Sequence, residues 1–215
     1  LAGAFIEAWV RVHGDKAEAR HRYFAPLVER LGIAGLGHLS EICDADAPHT
    51  ACGCPFQAWS VAHFIGQVAA AGKAEYPLPL YVNAALRDPL SSPPAGTYES
   101  GGPTDNVLDI WKAAAPAVDL LAPDIYQTDT AHYLKVLELY DRPDNALFIP
   151  ETIGSPAISR YGFAAVARGA IGWSPFGIDG SNQGRPLPAE GAVNPLAINT
   201  RMLLPMMREV AQFGF

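Results

Sequence analysis

The chain has 215 residues, 49% of them apolar, with a mean hydropathy of +0.08, enough apolar material for the core of one large domain or two small ones. Fifteen basic against 22 acidic residues leave a formal charge of -7 with no Lys/Arg stripe, which argues against nucleic acid or an anionic membrane as partner. No apolar run reaches the about 18 residues of a spanning helix, and LAGAFIEAWVRVH lacks a signal peptide's basic start and cleavage site, so location stays open between cytoplasm and export.

In chain order, AFIEAWVRVHG (4–14) and KAEARHRYFAPLVERLG (16–32) have helical periodicity. Residues 33–55 have no clear period apart from a candidate strand over Gly35 to Ile42, and they hold Cys43, Cys52 and Cys54. A Cys-Gly-Cys spacing with no second ligand pair does not make a zinc knuckle, so these read as reduced structural or incidental thiols. A helix is predicted over 56–76, with Ala58, Val61, Ile65 and Val68 on one face. A strand over 76–86 should end near Asn83. A helix over 105–118 follows, capped by Thr104 or Asp105.

The next strand spans 118–126, and the helix over 130–141 has Tyr133, Leu134, Leu137 and Tyr140 on one face. The run Ala146-Leu147-Phe148-Ile149-Pro150 reads as a buried strand that ends on Glu151, and Ser155-Pro156 caps a helix over 157–169. A fourth strand over 170–179 leads to a helix from Asn194-Pro195 toward Gln212, which Pro205 should kink or break. Repeated strand–helix alternation predicts an α/β fold of parallel strands, with the unit length of a TIM-type barrel. Four strands are half of the eight that close such a barrel.

The stretches YPLPLYVNAALRDP, GTYESGGPTDNVLDIWKAAAPAVDLLAPDIYQ, FIPETIG and GAIGWSPFGID, in that order, resemble bacterial β-galactosidases of glycoside hydrolase family 35 and close relatives, over about residues 56–180. These are retaining glycosidases on (β/α)8 barrels. The resemblance implies that Asn83, Tyr126, Glu151 and Trp173 end strands five to eight, with Glu151 the nucleophile and Tyr126 its hydrogen-bond donor. Trp173 becomes a sugar-stacking platform, joined to Ser174 by a non-proline cis peptide. Residues 56–215 are then the C-terminal half of a barrel, and residues 1–55 a separate helical and irregular segment. The asparagine–glutamate pair that supplies the acid/base in that clan is not visible. The expectation is therefore the C-terminal half of a longer enzyme, with its first strands encoded upstream.

Retaining glycoside hydrolysis needs two carboxyls about 5–5.5 Å apart, one attacking the anomeric carbon and one exchanging protons with the leaving oxygen and with water. Glu151 suits the first role. Glu41, in HLSEICD, is the candidate for the second. Asn83 could donate to a sugar hydroxyl or cap its own loop, Glu99 is a candidate for the substrate rim, and Asp124, two residues before Tyr126, reads equally as structural or ligand-facing. No P-loop or GxGxxG is present, and the reading needs neither metal nor nucleotide cofactor. The implied partner is a β-galactoside, and the open edges of a half-barrel would favour homo-oligomers. Two other classes remain in view: a sugar-binding half-barrel without catalysis, and a serine hydrolase, for which GWSPFG lacks the second glycine of the nucleophile elbow.

Overall fold

A computed structural model describes residues 2–30, 32, 42–44, 46–52, 58–94, 96–99, 101–177 and 195–213. The chain divides into two compact units: residues 1–80, 100–102 and 106–118, and residues 81–99, 103–105 and 119–215. The expected break between residues 55 and 56 falls outside the described residues, as does nearly all of the Gly35 to Ile42 candidate strand.

In the first unit, helix α1 (Ala2–His13) stops at Gly14, whose φ of +74° is the left-handed turn that glycine adopts without a Cβ penalty. Asp15 then caps α2 (Lys16–Ala19) by accepting from Glu18 N at 2.9 Å. The single helix expected over 16–32 is interrupted by a π-helical segment (Arg20–Phe24) before α3 (Ala25–Arg30). Pro26 supplies the reason: it has no N–H for the carbonyl four residues back, and Ala25 N–H reaches five residues back to Arg20 O. Phe5 and Trp9 of α1 meet Tyr23 edge-on at 5.2 and 5.5 Å. A two-residue antiparallel pair, β1 (Ile42–Cys43) and β2 (Ala51–Cys52), follows.

Helix α4 (Ala58–Glu75) corrects the predicted face. Its buried positions are Ala62, Gly66 and Ala69, while Val68 is 57% exposed. Small residues win because α4 lies against α5 (Leu108–Ala114) and the turn after it: a Cβ at Gly66 would sit 2.7 Å from Ala115 Cα. A 3-10 turn (Asp105–Val107) leads into α5, which is shorter than expected because the chain leaves the helix at Ala115, just before Pro116.

The second unit holds a four-stranded, all-parallel sheet in sequence order: β3 (Tyr81–Ala84), β4 (Leu120–Ile125), β5 (Phe148–Thr152) and β6 (Gly172–Pro175). Helices α6 (Thr130–Tyr140) and α7 (Ser159–Ala167) cross over between β4, β5 and β6. The chain ends with α8 (Pro195–Leu203) and α9 (Met207–Phe213), separated by a 3-10 turn at Pro205, as the proline predicted. The core lies between the sheet and α6 and α7, where Tyr133, Val136, Leu137, Tyr140, Ile158 and Tyr161 are buried with Leu121, Ile125 and Ile149. Tyr133 and Tyr161 stack at 4.1 Å. The α/β class and the parallel sheet agree with the sequence reading.

Candidate functional site

The two faces of the sheet follow from register and alternation. Ile149 pairs with Trp173, whose indole N–H donates to Tyr133 OH at 2.9 Å and whose ring lies over Gly162 of α7, so this face meets the helices. Thr152 is on the same face, since its hydroxyl donates to Ile125 O at 2.6 Å and lies 3.4 Å from Tyr133 OH. Strict alternation cannot put both Ile149 and Thr152 there. One extra residue on β5 resolves it: Ile149 pairs with Trp173 and Thr152 with Pro175, three steps against two. Pro150, which has no N–H to lose, sits in this bulge. The bulge turns Glu151 to the opposite face.

On that face Tyr126, just past the end of β4 and 45% exposed, donates its hydroxyl to Glu151 Oε1. Asp124 is the register partner of Glu151 on the neighbouring strand. Asn83 of β3 places its Nδ2 at 2.8 and 2.9 Å from the two Asp124 oxygens. The group is therefore Asn83, Asp124, Tyr126 and Glu151, drawn from three consecutive strands at their carboxyl-terminal ends, where parallel sheets collect ligand-binding groups. Burial holds the Asp124 carboxyl above the usual Asp range, with the charge of Glu151 adding to it; the Asn83 hydrogen bonds work in the opposite direction. Beneath the group Phe148 meets Tyr81 edge-on at 5.0 Å and covers Gly172, where a Cβ would come within 2.5 Å of the Phe148 ring.

Of the residues expected at a site, the structure brings together Asn83, Tyr126 and Glu151. Trp173 is not with them: its half-buried ring faces the helices, and the Trp173–Ser174 bond is trans, the cis bond among the described residues being Ala47–Pro48. Glu99 is exposed, and among the described residues no hydrogen bond ties it to the group. Glu41 lies outside the described residues. Asp124 carried a readable signal, an acidic residue at strand spacing from Tyr126, but its tie to Glu151 depends on the pairing of two strands 27 residues apart.

The loop after β3 is anchored close by. Arg87 forms a fork with Asp105, Nε to Oδ1 at 2.7 Å and Nη2 to Oδ2 at 2.6 Å, with 15% and 10% of the two side chains exposed. This bond to Asp105 raises the Arg87 pKa against the opposing effect of burial. Tyr140 donates to Pro103 O at 2.7 Å, and burial, then the charges of Asp105 and Asp124, pushes its hydroxyl pKa up so that it stays a donor. Among the described residues no cluster of three His, Cys, Asp or Glu side chains is placed to hold a metal ion, and no helix is long and apolar enough to cross a membrane.

Comparison with known proteins gives one family. Residues 1–66 match the family described as amylo-alpha-1,6-glucosidase, so that part of the chain is similar to a glycosidase. No curated protein matches the chain. The match links those 66 residues with a glycosidase-type family. It overturns the resemblance to family 35 β-galactosidases: the family found is a different one, and it lies mostly on the segment that the resemblance left unplaced. The physical reason is that Asn, Tyr, Glu and Trp at successive strand ends are what many parallel sheets place around a pocket, so their order speaks for the fold and not for one family.

Proposed function

We infer that the second unit carries a glycoside-cleaving site in which the Glu151 carboxylate attacks the anomeric carbon. The observation that carries this reading is the Tyr126 hydroxyl donating to Glu151 on the face of the sheet turned away from the helices. A fixed O–H beside a carboxylate holds its aim and supports its charge before attack. Support for the class of reaction comes separately, from the similarity of residues 1–66 to amylo-alpha-1,6-glucosidases. Four parallel strands in sequence order also suit a segment of a larger barrel, with Glu151 on its inner side. The substrate is a glycoside, and α-1,6-linked glucosides head the panel because of the name of the matching family.

The test is incubation with a panel of 2-deoxy-2-fluoro glycosides, followed by peptide mass spectrometry, alongside turnover of aryl glycosides and α-1,6-linked glucose oligomers. The expected result is a glycosyl adduct on the peptide that contains Glu151 and loss of turnover in Glu151→Gln. Turnover that survives in Glu151→Gln, or an adduct on another residue, would refute the assignment. Sugar binding without any adduct or turnover would favour a non-catalytic carbohydrate-binding role.

A further inference from the structure

Resting on the glycosidase reading above, we propose that Asp124 is the second carboxyl of the site, which gives the leaving oxygen its proton and then takes one from water. Asp124 and Glu151 are register partners on adjacent parallel strands, which run about 4.8 Å apart. The Asn83 and Tyr126 contacts put both side chains on the same face. We take these neighbouring, same-face carboxyls as the pair that a double displacement needs at about 5–5.5 Å.

Their surroundings differ in kind. Glu151 accepts a hydrogen bond from the Tyr126 hydroxyl, which fixes its aim. Asp124 is half-buried, accepts from the neutral amide of Asn83 on both oxygens, and faces the charge of its neighbour. Burial, with the charge of its neighbour, raises the Asp124 pKa, which suits this carboxyl to the proton-giving role. In this proposal Asp124 carries the proton to be given and Glu151 is the carboxylate that attacks.

The step balances with water as the co-reactant. Glu151 bonds to the anomeric carbon while the bond from that carbon to the leaving oxygen breaks. Its electron pair stays on the oxygen, which takes the Asp124 proton and departs as an alcohol. Asp124, now ionised, accepts a proton from a water molecule whose oxygen attacks the anomeric carbon and releases Glu151 as carboxylate. Asp124 ends protonated, as it began.

The experiment compares the full chain with Asp124→Asn, which keeps the shape of the side chain, on glycosides of graded leaving-group acidity. Alkyl glycosides should lose about 10²–10⁴-fold in kcat/KM, while glycosyl fluorides, which depart without a proton, should form the Glu151 adduct at close to the parent rate. In Asp124→Ala, added azide should yield a glycosyl azide. A loss equal for both leaving groups, or no loss at all, removes Asp124 from the role while an adduct on Glu151 keeps the nucleophile assignment. No adduct and no turnover in the parent chain overturns both. A measurement independent of activity is the carboxyl ¹³C titration of Asp124. It should lie above the ordinary Asp range and fall in Glu151→Gln, and a titration at or below that range in the parent chain overturns the proposal.

Discussion

Replacing Asn145 by Ala tests how the strand that carries Asp124 is held. Asn145 is 3% exposed and makes three hydrogen bonds with its side chain: Oδ1 accepts from Leu121 N at 2.8 Å, and Nδ2 donates to Leu121 O at 2.9 Å and to Tyr140 O at 3.1 Å. It thus satisfies the backbone of β4 where β5 does not yet pair with it, and also a carbonyl in the last turn of α6. Leu121 and Tyr140 are buried, so water does not readily replace these bonds. At about 1 kcal/mol net per bond, rising where a buried group is left unpaired, the loss should be about 3 kcal/mol. Hydrogen exchange of peptides over residues 118–126 in native buffer reports it as a fall in opening free energy. Asp144→Ala, which removes an exposed pairing with Arg142, is the control and should cost under about 1 kcal/mol. If Asn145→Ala changes exchange no more than this control, or if Asn145→Gly is tolerated as a mere turn residue would be, the reasoning is wrong.

Four further outcomes follow from the same geometry. Tyr126→Phe removes one hydrogen bond to a charged group, about 1.5–3 kcal/mol if it is fully expressed in the transition state, so kcat/KM should fall about 10–100-fold with little change in thermal midpoint; an equal drop in stability would mark Tyr126 as structural. Arg87→Met strands the Asp105 carboxylate and should cost about 2–4 kcal/mol in urea unfolding, with Asp105→Leu on top restoring part of it. Asp124 has a raised carboxyl pKa in the folded chain, so its favourable contribution is complete below the unfolded Asp value and lost as pH rises through the folded one. Asp124→Asn should accordingly gain stability relative to the parent at pH 7 and not at pH 3, measured by chemical unfolding at both; the reverse order would contradict the burial argument. Gly172→Ala forces the Phe148 ring aside and should cost about 1–3 kcal/mol, with Phe148→Leu partly rescuing it in the double variant.

Much of the fold was readable because hydrophobic period is a local property. Runs of period 3.6 marked α1, α4, α6 and α7, short apolar runs between turn residues marked β3 to β6, and the cap at Ser155 and the break at Pro205 are sequence-local chemistry. The site was legible in part for the same reason: Asn83, Tyr126 and Glu151 stand at or next to strand ends, and a strand end is a local event.

What a side chain faces is a different matter, because it depends on atoms far away in the chain. Alternation alone would have set Glu151 on the side of Ile149; a single extra residue beside Pro150, defined only against β6, sends it to the other side. Trp173 looked like a platform for sugar, yet Tyr133 and Gly162, 40 and 11 positions away, fix its ring among the helices. In α4 the larger side chains lost the buried stripe to Ala62, Gly66 and Ala69, since the close approach of α5 leaves room for nothing bigger. The sequence by itself thus determined which segments are helix and strand and which polar residues stand at strand ends. Tertiary structure alone decided that Asp124 and Glu151 are neighbours, because pairing between strands joins residues that no local pattern relates.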